Sequence, residues 1–381
     1  MEKVISKALI NKTESYLFDY PHVTVSQTLK NCVKRLLGRE VYKHNKLSWQ
    51  NGICALGLLE YIKCCHDDKD IAAVVKQVKK YYDANKNTQI INSVEDCLSV
   101  YILLEMIDNG YLNEDEYRRL IEKVYSFILD ARKDSVKSLV YNQRQKENYI
   151  FADMIGMACP FLVKYGVMYN VPEAIELGIV QIDNFFNLAI EEMTDLPFHA
   201  YELEDDTHGA GNLTGKKLGQ LGWGRAVGWI AMGLANSLES IKLIGDSADD
   251  NLNVIAKLNG YLERIAKLFM SYQMESGLVN WALTEEGPED TSATAMIVYS
   301  LIKYINYVGS NGESDVNELE ELKEAVNNGI TALEKHIKAD GSVDQCHAEC
   351  LGLGMHPQKY GSYPWSVGTT LAVMSLKERE L

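Results

Sequence analysis

The segment SWQNGICALGLLEYIKCC, residues 48–65, decides the fold class, because its apolar residues follow the period of an α-helix. Ile53, Leu56, Leu59 and Ile62 recur at three-residue steps and therefore lie along one face of a helix. Alternating strand patterns with hairpin turns are scarce, so the chain is predicted to be all-α. The same helical pattern predicts further helices over residues 2–18, 22–38, 70–83, 93–108, 114–131, 149–168, 172–192, 224–243, 250–274, 290–307, 315–338 and 364–378.

Residues that typically begin and end helices support several of these boundaries. Ser93 and Asp96 have the spacing of a capping box, which predicts a helix start at this point. Pro172 suits the first turn of a helix, where its missing N–H costs nothing. Asn109 and Gly110 follow a periodic segment and indicate a helix end.

Periodicity does not decide how the helices are arranged. The helical hairpins share no fixed-period repeat, and no composition break or linker marks a domain boundary, so a single domain over residues 1–381 is expected. Unequal hairpins can close into a toroid whose inner helices line a bowl. They can also form an open solenoid with a concave binding face.

The charge of the chain excludes several classes of partner. Its 381 residues include 38 Lys and Arg against 53 Asp and Glu, which gives a formal net charge of −15. Nucleic acids and anionic membranes repel such a surface, so neither is an expected partner. No apolar run approaches the roughly 20 residues that span a bilayer. The opening MEKVISKALINKTESYLFDY lacks the apolar core and cleavage site of a secretory signal.

The eight cysteines are expected to be reduced thiols. Most of them lie in apolar helical patterns, where a free cysteine behaves as a small hydrophobic residue, and this predicts a cytoplasmic protein. One cluster, Cys346, His347, Cys350 and His356, has side chains that bind metals. It lacks the second Cys-x-x-Cys pair of a zinc site, so no metal is expected there.

The longest stretch without helical periodicity runs from Thr194 to Gly222 and is predicted to be a loop. A loop of this length within a compact helical chain is usually functional or disordered. Its GNLTGKK sequence lacks the spacer and the Ser or Thr of a phosphate-binding loop, and no strand precedes it. A nucleotide-binding function is therefore excluded.

Two aspartates are candidates for acid–base chemistry. Asp153 lies in the apolar run YIFADMIGMACPFLVKYG, where burial would keep a carboxyl protonated as a general acid. The alternative is a paired or solvent-facing residue on an amphipathic helix. Asp96 is the second candidate, although a capping role is a sufficient structural reason for its presence.

Other candidate residues suit sugar binding. The sequence WGRAVGW places Arg225 between Trp223 and Trp229, where a guanidinium suits carboxylate recognition and the rings suit stacking on sugars. The alternatives are a surface arginine and tryptophans that close hairpin ends. His199 would orient a sugar hydroxyl or cap a helix. All five tryptophans lie near helix starts or in loops, namely Trp49, Trp223, Trp229, Trp281 and Trp365.

Several of these stretches together resemble one group of enzymes. They are FADMIGMACPFLVKYG around Asp153, FHAY at 198–201, WGRAVGW at 223–229, and GLVNWAL with EDTSATAMIVYSL between 277 and 301. Their order is similar to that in the unsaturated glucuronyl and rhamnogalacturonyl hydrolases, glycoside hydrolase families 88 and 105. NGICALGLLEYI at 51–62 and the closing GSYPWSVGTTLAVMSL extend the resemblance over nearly the whole chain.

The resemblance implies an (α/α)6 barrel that hydrates a 4,5-unsaturated uronic acid at the non-reducing end of an oligosaccharide. It implies that Asp153 is the general acid and base, alone or with Asp96, and that no metal or organic cofactor takes part. The substrate-binding residues would be His199, Trp223, Arg225, Trp229, Trp49 and Arg144. An anionic substrate requires a local basic pocket, for which Arg225, Arg144, Lys216 and Lys217 are the candidates.

The chain departs from the family pattern around the expected pocket. Phe151 stands where the family often has Trp, and Gln143 stands where a basic residue is expected, with Arg144 beside it. A Glu-Thr-Ser type motif reads Asp290, Thr291, Ser292. Two other functions stay open at this point. One is an inverting hydrolase of saturated glycosidic bonds that uses Asp153 and Asp96, and the other is a non-catalytic helical scaffold that binds a protein.

Overall fold

The computed structural model describes residues 5–21, 25–38, 45–204, 214–243, 249–284, 287–311 and 316–380. Helices dominate these ranges, which confirms the predicted all-α class. The predicted segment 114–131 divides into a 3-10 turn, Glu114–Glu116, and a helix that begins at Arg118. The helices are α1 Lys7–Asp19, α2 Val25–Leu36, α3 Trp49–Cys64, α4 Asp68–Asn85, α5 Ser93–Asp108, α6 Arg118–Asp130, α7 Asp153–Tyr169, α8 Pro172–Leu188, α9 Gly224–Lys242, α10 Asp249–Tyr272, α11 Thr291–Asn311, α12 Val316–His336 and α13 Pro364–Glu380.

The helices form two concentric layers. In the inner layer α3, α5, α7, α9, α11 and α13 each pack against the next, and α13 returns to pack against α3. In the outer layer α1, α4, α6, α8, α10 and α12 each cover one of these helices. The ring is therefore closed as an (α/α)6 barrel, and the open solenoid is excluded.

Sequence patterns explain which helices lie inside. α3 buries every residue from Trp49 to Ile62, because its polar residues are few and spread around the helix. By contrast, α6 buries only one stripe, formed by Leu120, Ile121, Val124 and Ile128. A helix that is apolar on all sides belongs in the interior, whereas an amphipathic helix belongs on the surface.

Two glycines allow the last inner helix to approach the first. A Cβ atom added at Gly57 on α3 would lie 2.4 Å from the carbonyl oxygen of Gly368 on α13. A Cβ added at Gly368 would lie 2.5 Å from the carbonyl oxygen of Ile53. Both distances are far below van der Waals contact, so the ring closes at this spacing only because neither residue has a side chain.

Charged residues, most of them buried, form a network at one end of the barrel. Lys63 and Lys164 contact Glu105 at 2.9 and 2.6 Å, and Lys303 contacts Glu239 at 2.6 Å and Glu60 at 3.3 Å. The nearby cations lower the pKa of the Glu60 carboxyl, although burial opposes this shift. Every inner helix contributes to this network from its C-terminal half, through Glu60, Glu105, Lys164, Glu239, Lys303 and Arg379.

Short strands lie at the opposite end of the barrel, and a hairpin formed by two of them contradicts a sequence prediction. The stretch from Thr194 to Gly222, predicted to be a loop, contains strands β2 Phe198–Glu204 and β3 Thr214–Leu221, which pair antiparallel. β1 Ile150–Phe151 pairs with β2, and β4 Cys346–His347 pairs with β5 Tyr360–Gly361. The hairpin was not predicted because its strands are joined by more than a two-residue turn and their buried residues do not alternate regularly.

The predicted capping box at the start of α5 is also wrong. The helix is preceded by Asn92, and that residue's side chain makes no capping hydrogen bond. Asp96 instead lies inside the barrel wall. None of the helices in the described ranges combines the length and apolarity needed to cross a bilayer.

We expect Gly57→Ala to lower the free energy of unfolding by about 1–3 kcal/mol, the usual cost of overpacking a core. The added methyl would collide with the backbone of Gly368 rather than with a movable side chain. Gly260→Ala on α10 is the matched control, because a Cβ there meets nothing within 4 Å. The control should stabilise the helix slightly. Urea unfolding of both variants measures the difference, and equal midpoints would contradict close packing at the α3–α13 contact.

Candidate active site

A pocket of about 200 Å³ opens at the N-terminal ends of the inner helices, opposite the buried charge network. It brings together residues from α3, α5, α7 and α9, the β-sheet and the segment after β4. Of the predicted site residues, six line this pocket, namely Trp49, Asp153, His199, Trp223, Arg225 and Trp229. The other two, Asp96 and Arg144, do not line it.

Asp153 and His199 form the centre of the pocket. Asp153 is the first residue of α7 and is separated from β1 by Ala152 alone, and His199 lies on β2. The pairing of β1 with β2, extended by a 2.9 Å hydrogen bond from the Ala152 amide to the His199 carbonyl, fixes their relative position. Asp153 Oδ2 then lies 3.2 Å from His199 Nε2. The Asp153 side chain is 15% exposed and the His199 side chain 2%, so the carboxylate reaches the pocket while the ring is held behind it.

Asp96 is placed elsewhere. Its side chain is buried, and Asn45 Nδ2 donates a 2.6 Å hydrogen bond to Asp96 Oδ1. Burial, together with the nearby Glu95, raises the pKa of Asp96 well above its ordinary value. A buried carboxyl held by Asn45 inside the barrel wall has a structural explanation and no access to a pocket ligand.

Glu95, the residue before Asp96, lies in the pocket instead. The Tyr141 hydroxyl donates a 3.2 Å hydrogen bond to Glu95 Oε1. Burial raises the pKa of Glu95 to about 7, and the neighbouring Glu349 and Asp153 add to this effect. Sequence reasoning did not select Glu95, because nothing in an almost wholly apolar helix indicates which of two adjacent acids faces the axis.

Arg225 is held by backbone atoms. Its Nη1 donates to the His347 carbonyl at 2.8 Å, and its Nη2 donates to the Ala348 carbonyl at 2.7 Å. The buried Asp290 carboxylate lies 3.6 Å from Nη1. The guanidinium also lies 4.9 Å from the Trp223 ring centre. Arg225 therefore anchors the segment after β4 as well as lining the pocket.

The prediction of a basic pocket is wrong for the described residues, because acids outnumber cations among those that line the pocket. Arg144, Lys216 and Lys217 are all exposed and line no part of the pocket. Among the described residues that line it, Arg225 is the sole cation, and the acids are Glu95, Asp153 and Glu349. Gln143 has a structural role, because it accepts a 2.7 Å hydrogen bond from the Arg132 amide.

Aromatic rings form the rest of the pocket wall. Trp49 meets Trp229 edge to face at a centroid distance of 5.6 Å, and Trp223 lies 4.3 Å from the His199 ring. Phe151 packs edge to face against His199 at 4.9 Å, so it supports the histidine at the position where the family often has Trp. Flat apolar faces with nearby polar groups suit the binding of a sugar ring.

The predicted cysteine and histidine cluster comes together only in part. Cys346 is buried and donates to the His347 carbonyl. Cys350 and His356 lie close together, and their third neighbour is His199, with possible ligand atoms all within 4.8 Å of one another. This partner comes from β2 and was not predicted from sequence spacing.

Comparison with known proteins decides the family. The sequence profile of Glycosyl Hydrolase Family 88 matches residues 24–379. The chain belongs to this family. It is 21% identical to the unsaturated rhamnogalacturonyl hydrolase YesR of Bacillus subtilis over 317 residues, 80% of this chain and 84% of that protein. It is 29% identical to Protein Atu3128 of Agrobacterium fabrum over 196 residues, 50% of this chain and 75% of that protein.

Solved structures share the fold. A possible member of family GH105 from Salmonella enterica is 19% identical, with a TM-score of 0.76 over 100% of this chain and 96% of that one. The unsaturated glucuronyl hydrolase of Bacillus sp. GL1 is 16% identical, with a TM-score of 0.65 over 98% of this chain and 96% of that one. The chain is therefore a glycoside hydrolase with the (α/α)6 barrel that the resemblance implied.

We expect Arg225→Met to lower the free energy of unfolding by about 3–5 kcal/mol, because it leaves the buried Asp290 carboxylate without its cation. Adding Asp290→Asn should recover part of this loss, since the amide is neutral and its oxygen can still accept from the His347 amide. Urea unfolding of the two single variants and the double variant gives the coupling energy. A double variant no more stable than Arg225→Met would contradict the ion pair.

Proposed function

We propose that this family 88 hydrolase removes a 4,5-unsaturated uronic acid from the non-reducing end of oligosaccharides produced by polysaccharide lyases. The observation that carries the proposal is Asp153, 3.2 Å from His199 in a pocket walled by tryptophans. The names of the relatives, an unsaturated rhamnogalacturonyl hydrolase and an unsaturated glucuronyl hydrolase, support the substrate class.

The pocket size supports action at a chain end. Its volume of about 200 Å³ is below the range of roughly 300–1,000 Å³ that is typical of sites for larger ligands. Such a pocket accommodates one sugar residue rather than a segment of polysaccharide. An enzyme that removes only the terminal sugar residue needs a pocket for that one residue and no longer groove.

The proposed chemistry is the hydration of an enol ether. Asp153 gives its proton to C4, and positive charge develops at C5 and the ring oxygen. Asp153 then accepts a proton from the water molecule that adds to C5, so the carboxyl ends the step protonated as it began. The resulting hemiketal opens and releases the remaining sugar as an alcohol. His199 orients the Asp153 carboxylate, while Trp223, Trp229 and Trp49 hold the sugar ring.

We assign the second carboxyl to Glu95 rather than to Asp96. Glu95 lines the pocket, whereas Asp96 is buried against Asn45. With a pKa of about 7, Glu95 keeps its proton under mildly acidic conditions. A protonated Glu95 donates a hydrogen bond and adds no negative charge to a pocket that must admit a carboxylate. Arg225 supplies the positive charge that attracts this carboxylate.

Two further assignments accompany the proposal. The buried residues form one continuous cluster from Leu9 to Leu376, which supports a single catalytic domain over residues 1–381. All eight cysteines lie in described ranges and have free thiols, which supports a reducing, cytoplasmic environment.

We expect Asp153→Asn to lower kcat by about 10²–10⁴-fold, the usual contribution of acid–base catalysis. The assay follows the loss of ultraviolet absorbance of unsaturated uronyl disaccharides from rhamnogalacturonan, glucuronan and glycosaminoglycans. Asp96→Asn is the matched comparison and should leave kcat close to that of the parent enzyme, because Asp96 is buried against Asn45 and lies outside the pocket.

Three results would contradict this proposal. If all of these substrates kept their absorbance, the proposed substrate class would be wrong. Release of reducing sugar from saturated oligosaccharides would instead identify an inverting hydrolase. Equal losses in Asp153→Asn and Asp96→Asn would favour Asp96 as the second carboxyl.

We expect kcat/KM to fall as the pH rises through about 7, because the pKa of Glu95 is raised to this value and deprotonation adds a negative charge that repels the substrate. The groups that face Glu95 are Tyr141, Glu349 and Asp153. Glu95→Gln stays neutral and should lose this decline. Tyr141→Phe removes a hydrogen bond to the ionised form and should move the decline to higher pH. The pH profiles of the three enzymes measure both effects, and an unchanged profile in Glu95→Gln would contradict the assignment.

A further inference from the structure

Three side chains with metal-binding atoms meet at one edge of the pocket. His199 comes from β2, and Cys350 and His356 come from the segment that joins β4 to β5. One possible ligand atom from each residue lies within 4.8 Å of the other two. The two contributing regions are about 150 residues apart in the chain, so the fold rather than local sequence creates the cluster.

Three of the four histidine nitrogens in this cluster have no hydrogen-bond partner. Both ring nitrogens of His356 are buried and unpartnered, and so is Nδ1 of His199, a residue that is 2% exposed. Buried polar atoms nearly always have a partner, because leaving one unsatisfied costs free energy. A cation that takes the lone pair of one nitrogen on each ring would remove part of this cost.

The ring surroundings keep His356 in the form that coordinates metals. Its centroid lies 5.1 Å from Trp223 and 5.5 Å from Trp281. A histidine has an ordinary pKa of about 6.5, and apolar rings around it favour the uncharged form. The ring is therefore neutral at physiological pH, and a neutral imidazole has a lone pair to donate.

We propose that His199, Cys350 and His356 bind a thiophilic divalent cation of the zinc type. Two imidazoles and one thiolate are the ligands that Zn²⁺ prefers, whereas Mg²⁺ and Ca²⁺ prefer oxygen. Three protein ligands leave a fourth position open in a tetrahedral site. The Asp153 carboxylate, 3.2 Å from His199 Nε2, is placed to orient that ring as carboxylates do beside metal-bound histidines.

The three ligand atoms must move closer together to bind one cation. Zn–N bonds of about 2.0 Å and Zn–S bonds of about 2.3 Å set the ligand atoms of a tetrahedron roughly 3.3–3.7 Å apart. Ligand atoms up to 4.8 Å apart must therefore approach by about 1 Å. The Cys350 thiol must also give up its proton and its 3.1 Å contact with the Gly352 carbonyl.

Cation binding and substrate binding exclude each other. His199 and Cys350 both line the pocket, and His199 also contacts Asp153. A cation held here engages the histidine that orients Asp153 and occupies the pocket wall. We therefore expect reversible, substrate-competitive inhibition by zinc. This consequence rests on the proposed function, whereas the cation site itself does not.

Cobalt titration tests the site directly. Metal-free full-length protein is titrated with Co²⁺, and the thiolate-to-cobalt charge-transfer band and the visible bands of tetrahedral cobalt are recorded. We expect saturation at one equivalent per chain. Cys350→Ser should abolish the charge-transfer band, and His356→Gln should weaken binding by more than about tenfold, since even loss of a residue that only orients a ligand costs 10–100-fold.

A second cysteine provides the matched control. Cys65, half-buried after the end of α3, lies beside Cys64 and His66 and is the obvious place for adventitious binding. Cys65→Ser should leave the cobalt spectrum unchanged. The absence of a charge-transfer band in the parent protein, or a band that survives Cys350→Ser, would overturn the site.

An inhibition assay separates the two parts of the proposal. With an unsaturated disaccharide as substrate, zinc should raise the apparent KM, and Cys350→Ser should need at least about tenfold more zinc for the same effect. A cobalt band without zinc inhibition would keep the site but overturn the competition. If the protein hydrolyses no unsaturated substrate, the proposed function fails, while the cobalt spectrum still decides the cation site.

Discussion

The contact between α3 and α13 is the constraint on which the rest of the structure depends. These helices are the first and last of the inner ring, and Gly57 and Gly368 allow their backbones to meet. Without this approach the inner helices would form an open arc. The pocket needs the closed ring, because Trp49 at the start of α3 must face Asp153 and Trp229 across it.

The buried charges at the other end reinforce the same closure. A buried ion is costly unless an opposite charge compensates it. Here Lys303 on α11 contacts both Glu60 on α3 and Glu239 on α9, while Lys164 on α7 contacts Glu105 on α5. The charges are compensated only when the inner helices stand at the correct height around the ring. The network therefore favours one register over others, and aligned helices bring their N-terminal ends to a common level at the pocket.

Sequence was sufficient for the helices and insufficient for the orientation of individual side chains. Apolar periodicity located the helices because burial on one side or on all sides leaves a direct pattern in the chain. Glu95 and Asp96 show the limit of this approach. Adjacent helical residues point about 100° apart, so one faces the pocket and the other faces Asn45. Since α5 is buried on nearly all sides, its pattern contains no polar face from which this rotation could be inferred. Arg225 shows a second limit, because its partners at 347 and 348 are backbone carbonyls, which leave no trace in sequence.

The acidic character of the pocket agrees with the proposed reaction better than a basic pocket would. The pocket must admit an anionic substrate, and the neighbouring carboxyls repel it least when they are uncharged, a form that burial of several carboxyls together favours. Burial raises the pKa values of both Glu95 and Glu349. The positive charge of Arg225 opposes this rise in pKa only in part, because the Asp290 carboxylate lies 3.6 Å from Arg225 and partly neutralises it. Among the described residues that line it, the pocket thus combines one cation, Arg225, which attracts an anionic sugar, with carboxyls whose uncharged form is favoured by burial. A cluster of free lysines and arginines would bind the same anion more strongly, but it would also stabilise ionised carboxylates and so leave less of the protonated carboxyl that starts the reaction.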